Sequence, residues 1–239
     1  MLSVAIIGYG KMGKEIETVL NEFHQGVSVI IDHPEDWDRY DTRLRESDVA
    51  IEFSTPETAF ENCKKCIEKQ IPVVTGTTGW KEKFDNLLGL AENHESSLIY
   101  GSNFSIGANI FFMINKILAH TMDNQPQYDV SIEEIHHKAK KDAPSGTAIS
   151  IAEIILEEIR RKKDWTLYPE SESNLSINAI RTGDVTGIHK VEYNSIEDTI
   201  ELKHTAKSRK GFARGAVKAA MWLKDHPGRY DFKDIFHYL

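Results

Sequence analysis

The stretch SVAIIGYGKMG, residues 3–13, decides the fold of the N-terminal part of the chain. A short apolar run, typical of a buried strand, ends in the pattern G-x-G-x-x-G, and an amphipathic helix follows at once. In this context Gly8 permits a tight turn, Gly10 lets a pyrophosphate approach the backbone, and Gly13 lets the helix pack on the strand. The free N–H groups at the start of the helix attract phosphate. The stretch therefore predicts a strand, loop and helix that bind a dinucleotide.

Two further loops fit this prediction. Asp32 closes the second predicted strand about 20 residues after the last glycine, where a carboxylate accepts hydrogen bonds from an adenosine ribose. The segment TGTTG, residues 75–79, follows the fourth predicted strand and leaves room for a nicotinamide ring and its ribose. The alternative is that the glycines only form a turn and that Asp32 is a solvated strand-end residue. The agreement of motif and context favours the dinucleotide.

The order of apolar patterns predicts two domains. Apolar runs alternate with amphipathic stretches as far as residue 100, which predicts a doubly wound parallel sheet of Rossmann type, an α/β fold with both faces covered. A strongly apolar helix at 106–122 is expected to be mostly buried and to begin a second unit. One strand, one helix and three consecutive strands follow, so this unit is predicted to be α+β with a mixed sheet. A final helix packs back on the first unit, which gives predicted domains of 1–106 with 209–239 and of 107–208.

Composition excludes several classes of partner. The chain has 29 Lys and Arg against 37 Asp and Glu, a net charge of -8, which repels phosphate backbones and anionic lipid surfaces. Its first residues carry no basic segment, and their apolar run is too short to span a membrane. We expect a cytoplasmic protein with neither a nucleic acid nor a membrane as its partner.

Cys63 and Cys66 form a C-x-x-C pattern, which is found in redox dithiols and in zinc sites. The surrounding sequence predicts a helix that opens at Thr55-Pro56, so both thiols lie mid-helix, away from the N-terminal dipole that lowers a thiol pKa. The chain has only two cysteines, so no second pair completes a zinc site. We expect two free thiols.

The segment EIHHKAKKDAPSGTA, residues 134–148, carries candidate chemistry. His136 and His137 are neighbours on a strand and point to opposite faces, so they do not chelate one ion, and no metal is expected. A helix that opens at residues 145–147 offers N–H groups and a hydroxyl to an anion, and Lys140 adds positive charge. A carboxylate-bearing substrate fits this pocket, and His136 can give a proton near neutral pH. The alternative is a solvated basic loop with an N-cap serine.

The same segment resembles the signature of the dihydrodipicolinate reductase family. The resemblance implies an NAD(P)H-dependent reductase of lysine and diaminopimelate biosynthesis, which converts 4-hydroxy-tetrahydrodipicolinate to tetrahydrodipicolinate with loss of water. It also implies a homotetramer, with a dinucleotide-binding first domain and a second domain for substrate binding and oligomerisation. The matching stretches cover nearly the whole chain: the glycine loop, Glu52–Glu57, Gly76–Gly79, Asn103–Ser105, the segment above, Arg181-x-Gly183-Asp184 and His204-x-Ala206-x-Ser208-Arg209.

The resemblance assigns roles to individual residues. His136 becomes the proton donor, and Lys140 becomes a second catalytic or substrate-orienting group. The expected substrate-binding residues, which include the serine of the helix start, are His137, Ser145, Gly146 and Thr147. The expected cofactor-binding residues, which include those of the loops described above, are Gly8, Tyr9, Gly10, Lys11, Met12, Gly13, Asp32, His33, Gly76, Thr77, Thr78, Gly101, Ser102, Asn103 and Phe104.

Two departures from the family pattern bear on the cofactor. The glycine loop is one residue shorter than is usual in the family, with Lys11 in place of an arginine, and the stretch after Asp32 is abbreviated. NADH and NADPH therefore both stay open, and Asp32 favours NADH. Two other functions also stay open: reduction of another small carboxylate, and NAD(H) sensing without turnover. A sensor, however, needs no proton donor beside an anion pocket.

Overall fold

The structure of the chain, a computed structural model, describes residues 1–169 and 171–239, and of Lys81 it describes the backbone alone. These residues form two compact units, one of Met1–Ile106 with Arg209–Leu239 and one of Gly107–Ser208. Among the described residues, no helix is long and apolar enough to cross a membrane. The roles of the two units in binding cofactor and substrate stay predictions.

The first unit is built on a parallel sheet. Elements are numbered along the whole chain, and the strands here are β1 (Ser3–Ile7), β2 (Gly26–Ile31), β3 (Val49–Glu52), β4 (Val73–Thr75), β5 (Leu98–Tyr100) and β11 (Arg229–Asp231). Their order is β11-β5-β4-β3-β1-β2, and every neighbouring pair runs parallel. The sheet therefore needs a crossover between each pair of consecutive strands. The short edge strand β11 is not predicted from the sequence.

Helices cover both faces of this sheet. They are α1 (Lys11–Glu22), α2 (Asp36–Arg39), α3 (Asp41–Arg45), α4 (Pro56–Glu68), α5 (Phe84–Asn93), α8 (Lys210–Asp225) and α9 (Phe232–Ile235), with 3₁₀ turns at Lys81–Lys83 and Phe236–Tyr238. Alternate side chains of β1 enter different cores: Val4 and Ile6 pack with α1 and α8, whereas Ala5 and Ile7 pack with α4 and α5. A strand buried on both faces reads as a continuous apolar run, as this one does. The doubly wound Rossmann-type sheet is confirmed, as is the return of the final helix to the first unit.

The glycine loop joins β1 to α1 as the motif requires. Gly8 has a φ of +87°, and a Cβ there would lie 2.3 Å from the carbonyl oxygen of Phe53. At Gly13 a Cβ would lie 2.3 Å from the carbonyl oxygen of Gly8, so the helix rests directly on the turn. Beside Gly10, by contrast, no atom lies within 4 Å of the Cβ position. Two glycines thus serve close packing, and the third leaves open space at the helix start.

The second unit has a mixed sheet with helices on one face. Its elements are α6 (Ile106–Met122), β6 (Asp129–His136), α7 (Gly146–Glu158), β7 (Asp164–Thr166), β8 (Asn174–Arg181), β9 (Gly187–Asn194) and β10 (Thr199–Ala206). The strand order is β10-β9-β6-β8-β7, in which β6 runs parallel to β8 and antiparallel to β9. Side chains of both helices join one core with Val130 and Ile132 of β6. The α+β unit is confirmed, while β7 is missed because its residues, DWT, form no apolar run.

The expectation that α6 is mostly buried is wrong. Ile110, Met113, Ile114 and Ile117 are 40–62% exposed, while Phe111, Ala119 and Met122 lie in the core of this unit. A helix that lies on a sheet buries one stripe of its surface, and the rest of an apolar helix stays uncovered unless something else packs on it. Hydrophobicity alone therefore overestimates the burial of this helix.

The two thiols lie on the inner side of α4, as the predicted mid-helix position requires. Both Cys63 and Cys66 are free and buried in the core between this helix and the sheet. Burial, followed by the nearby charge of Glu52, raises the pKa of Cys66 to about 12. The prediction of two free thiols is confirmed, and neither has the lowered pKa of a redox cysteine.

The packing of the glycine loop predicts an asymmetric effect of two helical Gly→Ala substitutions. Gly13→Ala should lower the free energy of unfolding by about 1–3 kcal/mol, because the new methyl group meets a backbone oxygen that cannot move freely. Gly89→Ala in α5 is the matched control, since nothing lies within 4 Å of its Cβ position, and it should stabilise the chain by about 0.5–1 kcal/mol. Urea denaturation measures both. Equal effects of the two substitutions would contradict the close packing at Gly13.

Candidate active site

Strand register brings four chemically active side chains together in the second unit. Residues of β6 alternate between buried and less buried positions, so Glu134 and His136 follow Val130 and Ile132 on the core face. The antiparallel neighbour β9 places His189 directly opposite Glu134. The parallel neighbour β8 pairs Arg181 with His136. Long-range pairing of three strands therefore assembles the cluster at the carboxyl end of β6.

The carboxylate of Glu134 is the centre of this cluster. Its Oε1 accepts hydrogen bonds from the backbone N–H of Ser145 at 3.0 Å and from Nη2 of Arg181 at 2.7 Å. Its Oε2 lies 3.1 Å from Nδ1 of His136 and 3.7 Å from Nε2 of His189. Burial alone would raise the pKa of Glu134, but the hydrogen bonds from Ser145 and Arg181 outweigh it and lower the pKa below its usual value. The group is an ionised carboxylate at neutral pH.

The two histidines beside this carboxylate have lowered pKa values. Burial lowers the pKa of His136, the carboxylate of Glu134 partly opposes this effect, and the charges of Lys140 and Arg181 add to it. Burial and the neighbouring His136 lower the pKa of His189 to about 4. At Gly187 a Cβ would lie 3.0 Å from Nε2 of His136, so this edge of the ring packs closely against the backbone of the glycine. His189 is neutral near pH 7, and His136 is the more basic member of the pair.

The cluster also has the composition of a metal site. In the part of the chain that the structure describes, Glu134, His136 and His189 are the one group of three potential ligands whose atoms lie within 4.8 Å of one another. The sequence prediction that no metal is bound weighed Glu133 and Glu134 together with His136 and His137, but it did not include His189. The guanidinium of Arg181 already provides positive charge at 2.7 Å from Glu134. We therefore interpret the cluster as a hydrogen-bonding group.

The start of α7 differs in part from the predicted anion pocket. Ser145 is the N-cap, and its Oγ accepts from the N–H of Ala148 and lies 3.2 Å from Nε2 of His189. Its own N–H donates to Glu134. Both polar groups of Ser145 thus have partners within the protein, and its role in substrate binding stays a prediction. Gly146, which is exposed, and Thr147, which is half-buried, stay the predicted anion-binding positions.

The remaining predicted substrate residues lie in the loop between β6 and α7. Nζ of Lys140 forms an ion pair with Asp142 at 2.9 Å. The backbone N–H of His137 donates to the carbonyl oxygen of Val185 at 2.8 Å, which ties this loop to the one that follows β8. The structure thus keeps both residues close in sequence and space to His136, and their roles stay predictions.

In the first unit, the predicted cofactor loops lie at the carboxyl ends of parallel strands. The loops after β1, β2, β4 and β5 leave the same edge of the sheet, which is where doubly wound folds bind ligands. Asp32 is exposed after β2, and its Oδ1 accepts from the N–H of Tyr9 at 2.6 Å. A second carboxylate, Asp36, accepts from the N–H groups of Asp32 and His33 at 3.0 and 2.9 Å. The adenosine end of the predicted site therefore has two acidic side chains close to the glycine loop.

Phe104, whose role in cofactor binding stays a prediction, has a buried side chain. It is 1% exposed and packs against Phe53 and Phe232, so only its backbone is left to contact a cofactor. Gly101, three residues earlier, is also close-packed, since a Cβ there would lie 2.8 Å from the side chain of Phe232. The core therefore fixes the loop after β5, while Ser102 is exposed.

A buried carboxylate that the sequence does not single out links two of these loops. Glu52, at the end of β3, accepts from the N–H of Ser54 at 3.0 Å and from the hydroxyls of Ser54, Thr75 and Thr77, the last two at 2.6 and 2.9 Å. Burial raises the pKa of Glu52, although these four hydrogen bonds act in the other direction. The hydroxyl of Thr77 also accepts from the N–H of Ser54 at 2.8 Å. The loops after β3 and β4 are thereby held together, and Thr78 is left exposed.

The sequence did not predict the roles of Glu134 and His189, but the two residues share one signal. Glu134 and His189 occupy positions of their strands where the alternating pattern calls for an apolar side chain, because Val130 and Ile132 precede the first and Val191 and Tyr193 follow the second. A charged or polar residue on the core face needs a buried partner. The pattern alone could have marked both residues, but only the strand order identifies the partners.

Comparison with known proteins agrees with this arrangement. The family model described as dihydrodipicolinate reductase, N-terminus, matches residues 2–104, and the model described as its C-terminus matches residues 107–236. The chain is 44% identical over 235 residues to a 4-hydroxy-tetrahydrodipicolinate reductase of Christiangramia forsetii, which covers 98% of this chain and 97% of the relative. It is 36% identical over 198 residues to the protein of the same name from Syntrophus aciditrophicus, covering 79% and 72%.

A solved structure gives the same fold. The dipicolinate-bound dihydrodipicolinate reductase from Paenisporosarcina sp. TG-14 superposes with a TM-score of 0.76, at 23% identity, over 98% of this chain and 99% of that one. At this identity the likeness concerns the fold alone, a Rossmann-type sheet with a second mixed sheet. The two family models, which together span nearly the whole sequence, and the 44% identical relative establish that the chain belongs to the dihydrodipicolinate reductase family.

Proposed function

We propose that this chain reduces 4-hydroxy-tetrahydrodipicolinate to tetrahydrodipicolinate with a nicotinamide cofactor, in the biosynthesis of diaminopimelate and lysine. The relatives reported above carry this activity in their names. The observation that carries the proposal for this chain is the buried pair of Glu134 and His136 next to the start of α7. A non-catalytic NAD(H) sensor has no use for such a proton donor, and reduction of another small carboxylate has no feature of its own in its favour.

The first unit has the features that a dinucleotide requires. The N-terminus of α1 presents unpaired N–H groups, and the space beside Gly10 is open, as the approach of a pyrophosphate demands. Gly8 to Gly13 would hold the pyrophosphate, and Asp32 the adenosine ribose. Gly76 to Thr78 and Gly101 to Asn103 would contact the nicotinamide half. When bound, the nicotinamide supplies the hydride.

The second unit would provide the proton and the charge that holds the substrate. His136 gives a proton to the substrate, while water leaves as the second product. Lys140 and the N–H groups of Gly146 and Thr147 bind a substrate carboxylate, with His137 alongside. Lys140 can do so because its present partner, Asp142, is 58% exposed and can exchange for a substrate carboxylate.

Two further properties belong to this proposal. We expect a homotetramer assembled through the second unit, as the family resemblance implies, and a cytoplasmic enzyme. Size-exclusion chromatography with light scattering measures the assembly directly.

The activity and the role of His136 are tested together. Oxidation of NAD(P)H is followed at the nicotinamide absorbance with a freshly generated condensation product of pyruvate and aspartate semialdehyde. His136→Gln should lower kcat by roughly 10²–10⁴, the usual contribution of a positioned general acid. His120→Gln, in the same unit but with an exposed ring paired to Glu158, is the matched control and should leave kcat unchanged. A near-parental kcat in His136→Gln would falsify the assignment.

Lys140 should act on the substrate and not on the cofactor. Lys140→Ala is expected to lower kcat/KM for the dicarboxylate substrate by at least about tenfold, because it removes a charge-assisted hydrogen bond. Inhibition by 2,6-pyridinedicarboxylate should weaken in the same variant, while the affinity for NADH stays constant. Lys138→Ala, two residues away in the same exposed loop, is the control. Weak NADH binding with normal dicarboxylate inhibition would instead move Lys140 to the cofactor site.

NADH should be used at least as well as NADPH. Asp32 would lie near the 2′-phosphate of NADPH, with Asp36 next to it, and like charges about 4 Å apart repel by up to roughly 4 kcal/mol before screening. Lys11 and His33 oppose this effect in part. Asp32→Ser should raise the ratio of kcat/KM for NADPH over NADH by at least about tenfold, whereas Asp38→Asn, an exposed acid of α2, should not. A hundredfold preference of the parent for NADPH would show that the cations dominate.

A further inference from the structure

We propose that Glu134 is the positioning residue of this reaction: one buried carboxylate fixes both the start of α7, where the substrate carboxylate binds, and the ring of the proton donor His136. The proposal rests on the proposed function for the identity of the proton donor. It adds a residue to which neither the sequence pattern nor the family comparison gave a role. Glu134 does not touch the substrate and acts only through its neighbours.

The two oxygens of Glu134 have different tasks. Both partners of Oε1 are obligatory donors, the N–H of Ser145 and the guanidinium of Arg181, and they lie at 3.0 and 2.7 Å. These bonds prevent the carboxyl group from rotating and anchor the first residue of the helix. Arg181 also donates to the carbonyl oxygen of Asp142 at 2.6 Å, so the same guanidinium holds the loop that carries Lys140. The anion-binding segment is therefore fixed from one side by a single ion pair.

The second oxygen faces the proton donor. Oε2 of Glu134 and Nδ1 of His136 are both buried, lie 3.1 Å apart, and have no hydrogen-bond partner elsewhere among the described residues. Their alignment is poor in the free protein, as is common for catalytic pairs before the substrate binds. His189 competes weakly for Oε2, because its Nε2 lies 3.7 Å from it but only 3.2 Å from Oγ of Ser145. Oε2 is thus left to His136.

This arrangement decides which nitrogen of His136 gives the proton. A carboxylate can only accept, so Nδ1 must carry a hydrogen toward Oε2 in both the charged and the neutral ring. The proton that leaves must then come from Nε2, the nitrogen on the ring edge next to Gly187. After the transfer, the neutral ring is the Nδ1–H tautomer, which the carboxylate continues to stabilise. A buried acid holds a catalytic histidine in the same way in hydrolase triads.

The tautomer of His136 is measurable without turnover. We expect nitrogen-15 NMR of the imidazole rings, assigned by comparison with His136→Gln, to show the Nδ1–H form of neutral His136 in the parent protein. In Glu134→Gln the amide oxygen must face the two donors at the Oε1 position, so its NH₂ group faces Nδ1 and the ring should change to the Nε2–H form. Glu133→Gln is the matched control, since Glu133 lies on the other face of β6 and accepts a hydrogen bond from the side-chain amide of Asn178.

Kinetics provides the second readout. Glu134→Gln should lower kcat at least about tenfold and move the falling limb of the kcat/KM profile to lower pH by at least about one pH unit, because the ring loses the anion that favours its charged form. Glu134→Asp, which keeps the charge, should leave the limb nearer to its parental position. The charged and titratable groups that face His136 are Glu134 on β6, Lys140 and Asp142 in the following loop, Arg181 on β8 and His189 on β9.

The outcomes separate this proposal from the proposed function. An Nε2–H tautomer in the parent overturns the positioning role, and this measurement needs no variant of Glu134 to fold. An unmoved pH limb in a folded Glu134→Gln with lowered kcat would reduce the residue to a structural role and also overturns the proposal. If the parent fails to reduce the substrate while the tautomer changes as expected, the proposed function fails and the hydrogen bond to His136 stands.

Discussion

Burial of a carboxylate without a counterion is strongly unfavourable, and the second unit is organised around this constraint at Glu134. The side chain is completely buried, and it keeps its charge because Arg181 and the N–H of Ser145 supply compensating hydrogen bonds. These partners come from β8 and from the start of α7, so the strand order, the helix position and the connecting loop all have to be correct before the charge is satisfied. Loss of one partner of such a buried pair typically costs about 3–5 kcal/mol. The stability of this fold and the formation of the site therefore depend on each other.

The first unit uses the same principle with neutral donors. Glu52 has no cation among its hydrogen-bond partners, and an amide and three hydroxyl groups from adjacent loops bond its carboxyl oxygens. In both units a buried acid lies at or near the carboxyl end of a strand, and that acid orders the loops in which function is expected. These hydrogen bonds stiffen loops that must hold a ligand in a defined geometry. Apolar packing would instead fill the space that the ligand needs.

Much of this architecture was predictable because it depends on local periodicity. The glycine loop, the doubly wound sheet and the amphipathic α7 each show their pattern within a short window. β7 and β11 were not predictable, since neither DWT nor RYD forms an apolar run such as the VVT of β4 or the LIY of β5. Both depend on the edge of a neighbouring strand for partners. The contacts of Ser145 were not predictable for a related reason: a serine at a helix start can bond a ligand or its own protein, and its amide here donates to Glu134, eleven positions earlier in the chain. The partners of Glu134 on β8 and β9 are set by long-range pairing, which no local pattern contains.

The first unit is assembled from the two ends of the chain, and this has a consequence during synthesis. The second unit is continuous in sequence and can complete its core while the C-terminal segment is still inside the ribosome. The first unit must wait, because α8 covers one face of its sheet and β11 pairs with β5 at its edge. Until α8 and β11 have been synthesised, Val4, Ile6 and their neighbours on that face are covered by α1 alone, and one edge of β5 is unpaired. The segment that is synthesised first is thus among the last to complete its packing.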